Sequence, residues 1–312
     1  VYGLDFASGS LQMLESLPSV AAIVNGDDDE RIGRVLRRLV ATLDERARKF
    51  TRVNASTLSE YRHVADRTEP RILLLVDGIG AFRDAYEHVG QSTYFAMFNQ
   101  IAAEGRRLGL HVVVTGDRPG ALSSSLASMM QHRLVLRLAS DDDYLLAGVP
   151  GNILSATSPQ GRAIMGGHET QIAVYGGDSN VAVQARAVDR LADQMRESGF
   201  TAPDPVVRLS DHIALESLPA TTAAGVPAIG IADETLAPIG VTPQGVLMVT
   251  GPPGSGRSTA LVTLAQAIRR SNPNARIVHM APAASTIAGL GVWSDSAVGA
   301  SAVLDAANKL IA

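Results

Sequence analysis

The sequence predicts an α/β fold built on a mainly parallel sheet with helices on both faces. Three observations carry that expectation. Apolar runs of strand length alternate with stretches of helical periodicity along most of the 312 residues. Residues 71–76 (Arg-Ile-Leu-Leu-Leu-Val) form a continuous apolar run closed by Asp77-Gly78, which suits a central parallel strand covered on both faces. Near the other end, an apolar run ending at Thr250 meets a glycine-rich turn and then a helical stretch.

The elements follow in order. Residues 1–6 read as the end of a buried strand. Asp27-Asp28-Asp29-Glu30 opens a helix, because acidic residues are favourable at a helix N-terminus. Ile32, Val35, Leu36, Leu39, Val40, Leu43 and Ala47 give that helix an apolar stripe. After the 71–76 strand comes a helix over about 94–108, a strand over 110–115, a helix over 122–130 and a strand over 133–138. Ser140 then caps a short helix through Leu146. Residues 148–177 are rich in Gly, Pro and Ser, with short strands near 163–165 and 171–175. A helix spans 181–197, and 198–206 (Ser-Gly-Phe-Thr-Ala-Pro-Asp-Pro-Val) reads as a linker, so a domain boundary is placed near residue 200. Beyond it, strands are expected near 228–231 and 245–250. A helix runs to about Arg270 with Leu261, Leu264 and Ile268 inward, followed by a strand over 276–280 and a final helix over 297–311.

Composition excludes several classes. The chain has no Cys, so a disulfide scaffold, a Cys-ligated zinc site and a thiol nucleophile are ruled out. The seven histidines are scattered, without metal-ligand spacing. No apolar run approaches the roughly 18–20 residues that span a bilayer, and a soluble segment is expected. The net charge of −4 gives no nucleic-acid footprint. Of 27 basic residues only Lys49 and Lys309 are lysines, a bias that the codon usage of a GC-rich genome explains. The chain starts at Val1 within an apolar run, so a piece of a longer polypeptide is expected.

The strongest motif is Gly251-Pro252-Pro253-Gly254-Ser255-Gly256-Arg257-Ser258-Thr259. It matches G-x-x-x-x-G-K-[ST] at every fixed position but one, where Arg257 replaces Lys. Glycines let backbone N–H groups curl round phosphate oxygens, and the following helix N-terminus adds partial positive charge. Ser258 would offer a hydroxyl to Mg²⁺, and the cation at 257 would reach the outer phosphates. A guanidinium is larger and planar where an ammonium is a point charge, so binding is favoured over fast hydrolysis. The alternative is a Gly/Pro turn that binds nothing.

Asp77, at the end of an apolar strand, has the position of the Mg²⁺-site Asp of P-loop enzymes; the alternative is an ordinary Asp-Gly turn. Gly78 follows where a catalytic acid would orient water, which speaks against hydrolysis there. The order is also inverted, since the phosphate loop begins 174 residues after Asp77, whereas within one ATPase domain it comes first. Two partial tandem copies of a P-loop NTPase fold result. Residues 1–200 form a domain without its phosphate loop, and 201–312 the N-terminal half of the next. Residues 277–280 would then repeat the role of Tyr2-Gly3-Leu4-Asp5.

Residues 104–115 (Glu-Gly-Arg-Arg-Leu-Gly-Leu-His-Val-Val-Val-Thr) with Asp117-Arg118-Pro119 resemble the FtsK/SpoIIIE motor ATPases, and within them the tandem C-terminal ATPase domains of the EccC motors of type VII secretion. Supporting stretches are residues 2–6, Asp142-Asp143-Tyr144 with Leu146-Gly148-Val149-Pro150, Ile229-Gly230-Ile231, and Leu236-Ala237-Pro238. The resemblance implies a RecA-like core, ATP and Mg²⁺ as cofactors and hexamer-like stacking on other ATPase domains. It also implies a membrane-anchored parent protein, with this segment at the cytoplasmic face, and secreted partners carrying helical signal segments. Gly78, Asp117 in place of the Gln of DNA-pumping relatives, and Arg257 favour a regulatory role.

Arg34 lies where a family member would offer an arginine finger to a neighbour, although a solvated helix face is the preferred reading. Arg106, Arg107 and Arg118 are weighed as interface residues against the same solvated alternative. Three functions follow: an ATP-binding type VII secretion motor segment with weak hydrolysis, a DNA translocase of the same fold, and a non-hydrolysing docking module for secreted partners. The acidic balance and Gly78 argue against the second.

Overall fold

The computed structural model describes residues 1–87, 92–151, 153–155, 157–233 and 235–311. The chain forms two compact units, Val1–Arg208 and Leu209–Ala312. Among the described residues no helix is long and apolar enough to cross a membrane.

The first unit is built on β1 (Tyr2–Asp5), β2 (Ala22–Asn25), β3 (Ile72–Asp77) and β4 (Leu110–Val114). They form one all-parallel sheet in the order β2-β1-β3-β4. β2 has no counterpart in the sequence-based expectation, because its four residues lie in a Ser/Pro-rich stretch too short to show a period. The register sets Asp5 opposite Asp77, so both strands of this central pair end on a carboxylate.

Helix α1 (Asp29–Arg52) covers one face; Asp28 accepts a hydrogen bond from the Arg31 N–H (3.2 Å), capping it as the acidic run predicts. Its stripe Ile32, Val35, Leu36, Leu39 and Leu43 is buried against Leu4, Val24, Leu74 and Val76 of the sheet. Helix α2 (Leu58–Val64) precedes β3, and α3 (Ile79–Tyr86) and α4 (Ser92–Glu104) follow it. Phe82 of α3 stands edge-on to Phe6 and Phe98, at 5.3 and 5.1 Å between ring centroids. The chain continues through α5 (Ser124–Met129), β5 (Leu134–Leu136), α6 (Asp141–Leu146), β6 (Arg162–Met165), β7 (His168–Gln171) and α7 (Val181–Glu197). Strands β5, β6 and β7 make a separate antiparallel sheet. Ser140 caps α6 by accepting the Asp143 N–H (3.3 Å).

Residues 204–206, expected to be linker, are laid along α1 together with Val207 and Arg208. Val206 is buried in the core cluster. Three arginines of α1, spaced i, i+3 and i+7 and therefore on one face, hold its backbone. Arg31 Nε donates to the Val206 carbonyl (3.1 Å) and Arg34 Nη1 to that of Val207 (2.8 Å). Arg38 reaches two successive carbonyls, Asp204 (2.8 Å) and Pro205 (3.3 Å). Arg208 returns the contact by donating to Asp28 (3.0 Å).

The second unit holds β8 (Ala228–Ile231) paired antiparallel with β9 (Pro238–Gly240), helix α8 (Arg257–Ser271), β10 (Val278–Ala281) paired parallel with β11 (Asp295–Val298), and α9 (Ala300–Ile311). The β10-turn-β11-α9 order repeats β1-turn-β2-α1, with Val278 opposite Asp295 as Tyr2 is opposite Ala22. The expected repeat of residues 2–5 by 277–280 therefore includes a second strand that the sequence reading omitted in both copies. The strand expected over 245–250 is absent from every ladder. The segment is apolar enough for one, but among the described residues no strand lies beside it to complete its hydrogen bonds.

Two stability predictions follow. Arg46 is only 2% exposed and ties α1 to the starts of β3 and β4, donating to Leu108 (2.8 Å) and Pro70 (2.6 Å) carbonyls and to Glu69 (2.8 Å). Arg46→Ala takes this donor from both carbonyls, leaves Glu69 with only Lys49 (3.8 Å) of its two cations, and costs the first unit about 3 kcal/mol or more in urea unfolding. Tyr86 is buried and its hydroxyl donates to Asp29; burial, then that hydrogen bond, raises its pKa well above the ordinary tyrosine value. The unfolded chain ionises first, so this contribution is complete below about pH 10 and is lost as pH rises further. Tyr86→Phe makes the urea midpoint fall less steeply in that alkaline range.

Candidate functional site

The candidate chemistry lies in two half-sites, one per unit. In the first, Asp77 ends β3, flanked by β1 and β4, which places its carboxylate at the C-terminal edge of the sheet where ligands of parallel sheets bind. The Ser10 hydroxyl donates to one Asp77 oxygen (2.8 Å) and the Thr115 hydroxyl to the other. Thr115 also accepts the Gly78 N–H (2.9 Å). Its place just after β4 marks it as a strand-end polar residue, but nothing in the local sequence points to Ser10. Neighbouring Asp5 is buried and accepts the N–H groups of Ala7 (3.2 Å), Gly9 (3.1 Å) and Leu11 (3.0 Å). It therefore shapes the turn that delivers Ser10.

Gly78 is dictated by the backbone. Its φ is +81°, a left-handed conformation that costs a residue with a side chain about 1–2 kcal/mol. A Cβ there would also sit 3.1 Å from the Phe6 carbonyl carbon and oxygen. An acid next to Asp77 would therefore take a strained backbone and push the Phe6 main chain back by a few tenths of an ångström.

In the second unit, residues 251–256 form a compact turn feeding α8. Gly254 (φ +82°) and Gly256 (φ +88°) take left-handed conformations. Ser255 donates its N–H to the Pro252 carbonyl (3.2 Å), and a Cβ on Gly251 would collide with the Ser255 hydroxyl. Ser255 therefore lies over Gly251, and a larger residue there would make the Ser255 side chain turn away. The first helical hydrogen bond from the turn is Ala260 N–H to the Gly256 carbonyl (2.8 Å). The N–H groups of residues 257–259 precede it and are the donors that a helix start leaves without an intrahelical partner. Residues 252–259, including Pro253, Arg257, Ser258 and Thr259, are exposed. Two left-handed glycines, a cradle that a Cβ would fill and open helix-start donors fit a phosphate chain.

The structure gives each half-site separately. Arg34, preferred from sequence as part of a solvated face, is instead buried, with its guanidinium on Val207 and on Glu30 (2.7 Å). That correction arises because the 204–208 segment covers the helix face. Arg106, Arg107 and Arg118 are exposed, and Arg106 donates to the Gln131 side chain.

Gly78→Glu, which would install the missing acid, is expected to destabilise the first unit by about 2 kcal/mol or more and to produce no ATP hydrolysis. Urea unfolding and a phosphate-release assay on the same variant check both parts.

Comparison with known proteins places these features. The FtsK/SpoIIIE family model matches residues 1–169. The chain is 28% identical over 254 residues to the ESX secretion system protein EccC of Thermomonospora curvata, covering 76% of this chain and 18% of that protein. It is 22% identical over 143 residues to the type VII secretion system protein EssC of Staphylococcus aureus, covering 46% of this chain and 9% of that protein. It therefore spans under a fifth of the length of either relative. Among solved structures, ATPases 2 and 3 of Geobacillus thermodenitrificans EssC superpose with a TM-score of 0.77 at 17% identity, covering 99% of this chain and 61% of that one. ATPases 2 and 3 of Thermomonospora curvata EccC, solved with a signal sequence peptide, give 0.70 at 23%, covering 99% and 58%. The relatives and structural neighbours are type VII secretion proteins and their ATPase domains, and the fold is that of P-loop ATPase domains. With more than half of its residues matched by the family model, the chain belongs to the FtsK/SpoIIIE family.

Proposed function

We propose that this chain is an ATP-binding regulatory segment of a type VII secretion motor. Residues 1–200 are an ATPase domain without its phosphate loop, and 201–312 are the N-terminal half of the next. The second copy binds ATP with Mg²⁺ through residues 251–259 and hydrolyses it weakly. The observation that carries this reading is the cradle: left-handed Gly254 and Gly256, Gly251 under Ser255, and the open start of α8.

The roles divide by chemistry. Backbone N–H groups of the turn and of the first turn of α8 hold phosphate oxygens. Ser258, second in α8, would offer its hydroxyl to Mg²⁺, which would neutralise phosphate charge. Arg257 reaches back towards the loop, its Cγ 3.8 Å from where a Gly251 Cβ would be, and presents a fork donor to the outer phosphates. Weak turnover in the second copy is supported by that guanidinium, and Gly78, where a catalytic acid would stand, speaks against hydrolysis in the first. Asp77 is retained as the Mg²⁺-site Asp of the first copy, held by Ser10 and Thr115. Arg34 is assigned to anchoring residues 204–208.

The partners of this reading are ATP, neighbouring ATPase domains and secreted proteins with helical signal segments. The EccC relative solved with a signal sequence peptide supports the last. The segment is placed at the cytoplasmic face of the membrane, within a longer membrane-anchored protein.

Titrating the chain with a fluorescent ATP analogue tests the proposal. Saturable, Mg²⁺-dependent binding is expected. Ser258→Ala weakens it about tenfold or more, as loss of a hydrogen bond to a charged group would. Arg257→Ala weakens it by a similar factor, and Arg257→Lys preserves it. No saturable binding, or identical affinities for wild type and Ser258→Ala, sinks the reading.

A further inference from the structure

Asn25-Gly26 is the one Asn-Gly pair in the sequence. In such a pair the glycine nitrogen can attack the asparagine side chain, because no Cβ shields the nitrogen. Packing favours the glycine all the same: a Cβ on Gly26 would lie 2.5 Å from the Phe6 ring.

Four features hold the pair in a form that does not react. Asn25 is the last residue of β2, in register with Asp5, and its main chain is extended. The Gly26 N–H donates to the Asp5 carbonyl (2.8 Å), continuing the β1–β2 pairing. The Asn25 carbonyl accepts the Asp28 N–H (3.0 Å), which fixes the turn into α1. The Asn25 Oδ1 accepts Gln12 Nε2 (2.7 Å). Attack needs the opposite: a glycine nitrogen free to lose its proton, and an Asn25 main chain rotated until that nitrogen faces Cγ. Water and base nevertheless reach the pair. Asn25 is exposed and lines a polar cavity of about 290 Å³ with Gln12, Asp27 and Arg208.

We infer that Asn25 is a deamidation site gated by the β1–β2 pairing, shut while β2 lies in the sheet and open when its end detaches. The Gly26 nitrogen bonds to Asn25 Cγ as its proton is removed. The Cγ–Nδ2 bond then breaks, and ammonia leaves with a proton in that one's place. The five-membered succinimide adds one water and opens at either carbonyl, to aspartate or to isoaspartate. The sum is hydrolysis of one amide to acid and ammonia. Aspartate keeps an acceptor for Gln12. Isoaspartate adds a main-chain carbon at the junction of β2 and α1 and breaks the register there, so a detachment of β2 becomes permanent. The chemistry belongs to the first unit and does not depend on nucleotide binding.

Peptide mass spectrometry of the full chain tests it, after parallel incubation in mildly alkaline buffer and in the same buffer with unfolding guanidinium chloride. Conversion of Asn25 is expected to be about tenfold or more slower in the folded chain, because local opening limits it. Gln12→Ala removes one contact and is expected to raise the folded rate about threefold, as loss of one hydrogen bond would, with the unfolded rate unchanged. Hydrogen exchange at the Gly26 amide reads the same opening without a variant, and a protected amide is expected. Equal conversion with and without denaturant, no conversion in denaturant, an unprotected Gly26 amide, or a folded Gln12→Ala chain that converts at the wild-type rate overturns the inference.

Discussion

Everything in the first unit hangs on β3 lying between β1 and β4 in a parallel sheet. A central parallel strand needs a partner on each side and apolar cover on both faces. That requirement explains the unbroken Ile-Leu-Leu-Leu-Val run and why the first polar residue, Asp77, comes where the strand leaves the layer. It sets the neighbours of Asp77 too. The strands beside it end at the same level, so Asp5 and Thr115 arrive next to it by register. The same crowding brings the Phe6 backbone against Gly78. A position that would hold an acid in a hydrolysing enzyme is crowded by the main chain of Phe6, just past β1.

In the second unit the same rule appears through what is unmet. β10 and β11 repeat the pairing of β1 and β2, and the glycine-rich turn 251–256 has its two left-handed glycines without any strand ladder before it among the described residues. The turn is a local structure, set by glycine conformations and one hydrogen bond between Ser255 and Pro252. A strand is not local; it exists only with a partner. This is why the cradle is complete where the strand leading into it is not.

The same distinction separates what was legible in the sequence from what was not. Helix α1 could be read because a single segment contains both its cap, Asp28, and its apolar period. The glycine-rich turn could be read because its three glycines, 251, 254 and 256, fall within six residues. β2 and β11 could not, since four-residue strands show no period and owe their existence to β1 and β10. Ser10 escaped because it reaches Asp77 across 67 residues, through a turn that Asp5 shapes. Arg34 was misjudged as solvated because the covering segment lies 173 residues away. The helix periodicity was correct, but it could not reveal that the polar face would also be covered.

The grip of α1 on residues 204–208 has an evolutionary consequence. Arg31, Arg34 and Arg38 hold carbonyl oxygens, which every amino acid possesses. Apart from Val206, whose side chain enters the core, and Arg208, whose guanidinium bonds Asp28, the held segment is free to drift in sequence without loosening. The demand falls on the holder instead. A guanidinium fork can serve two successive carbonyls, as Arg38 does, whereas an ammonium is a single point. The arginine bias of the composition, whatever its genomic origin, is at these positions a constraint that lysine would not meet.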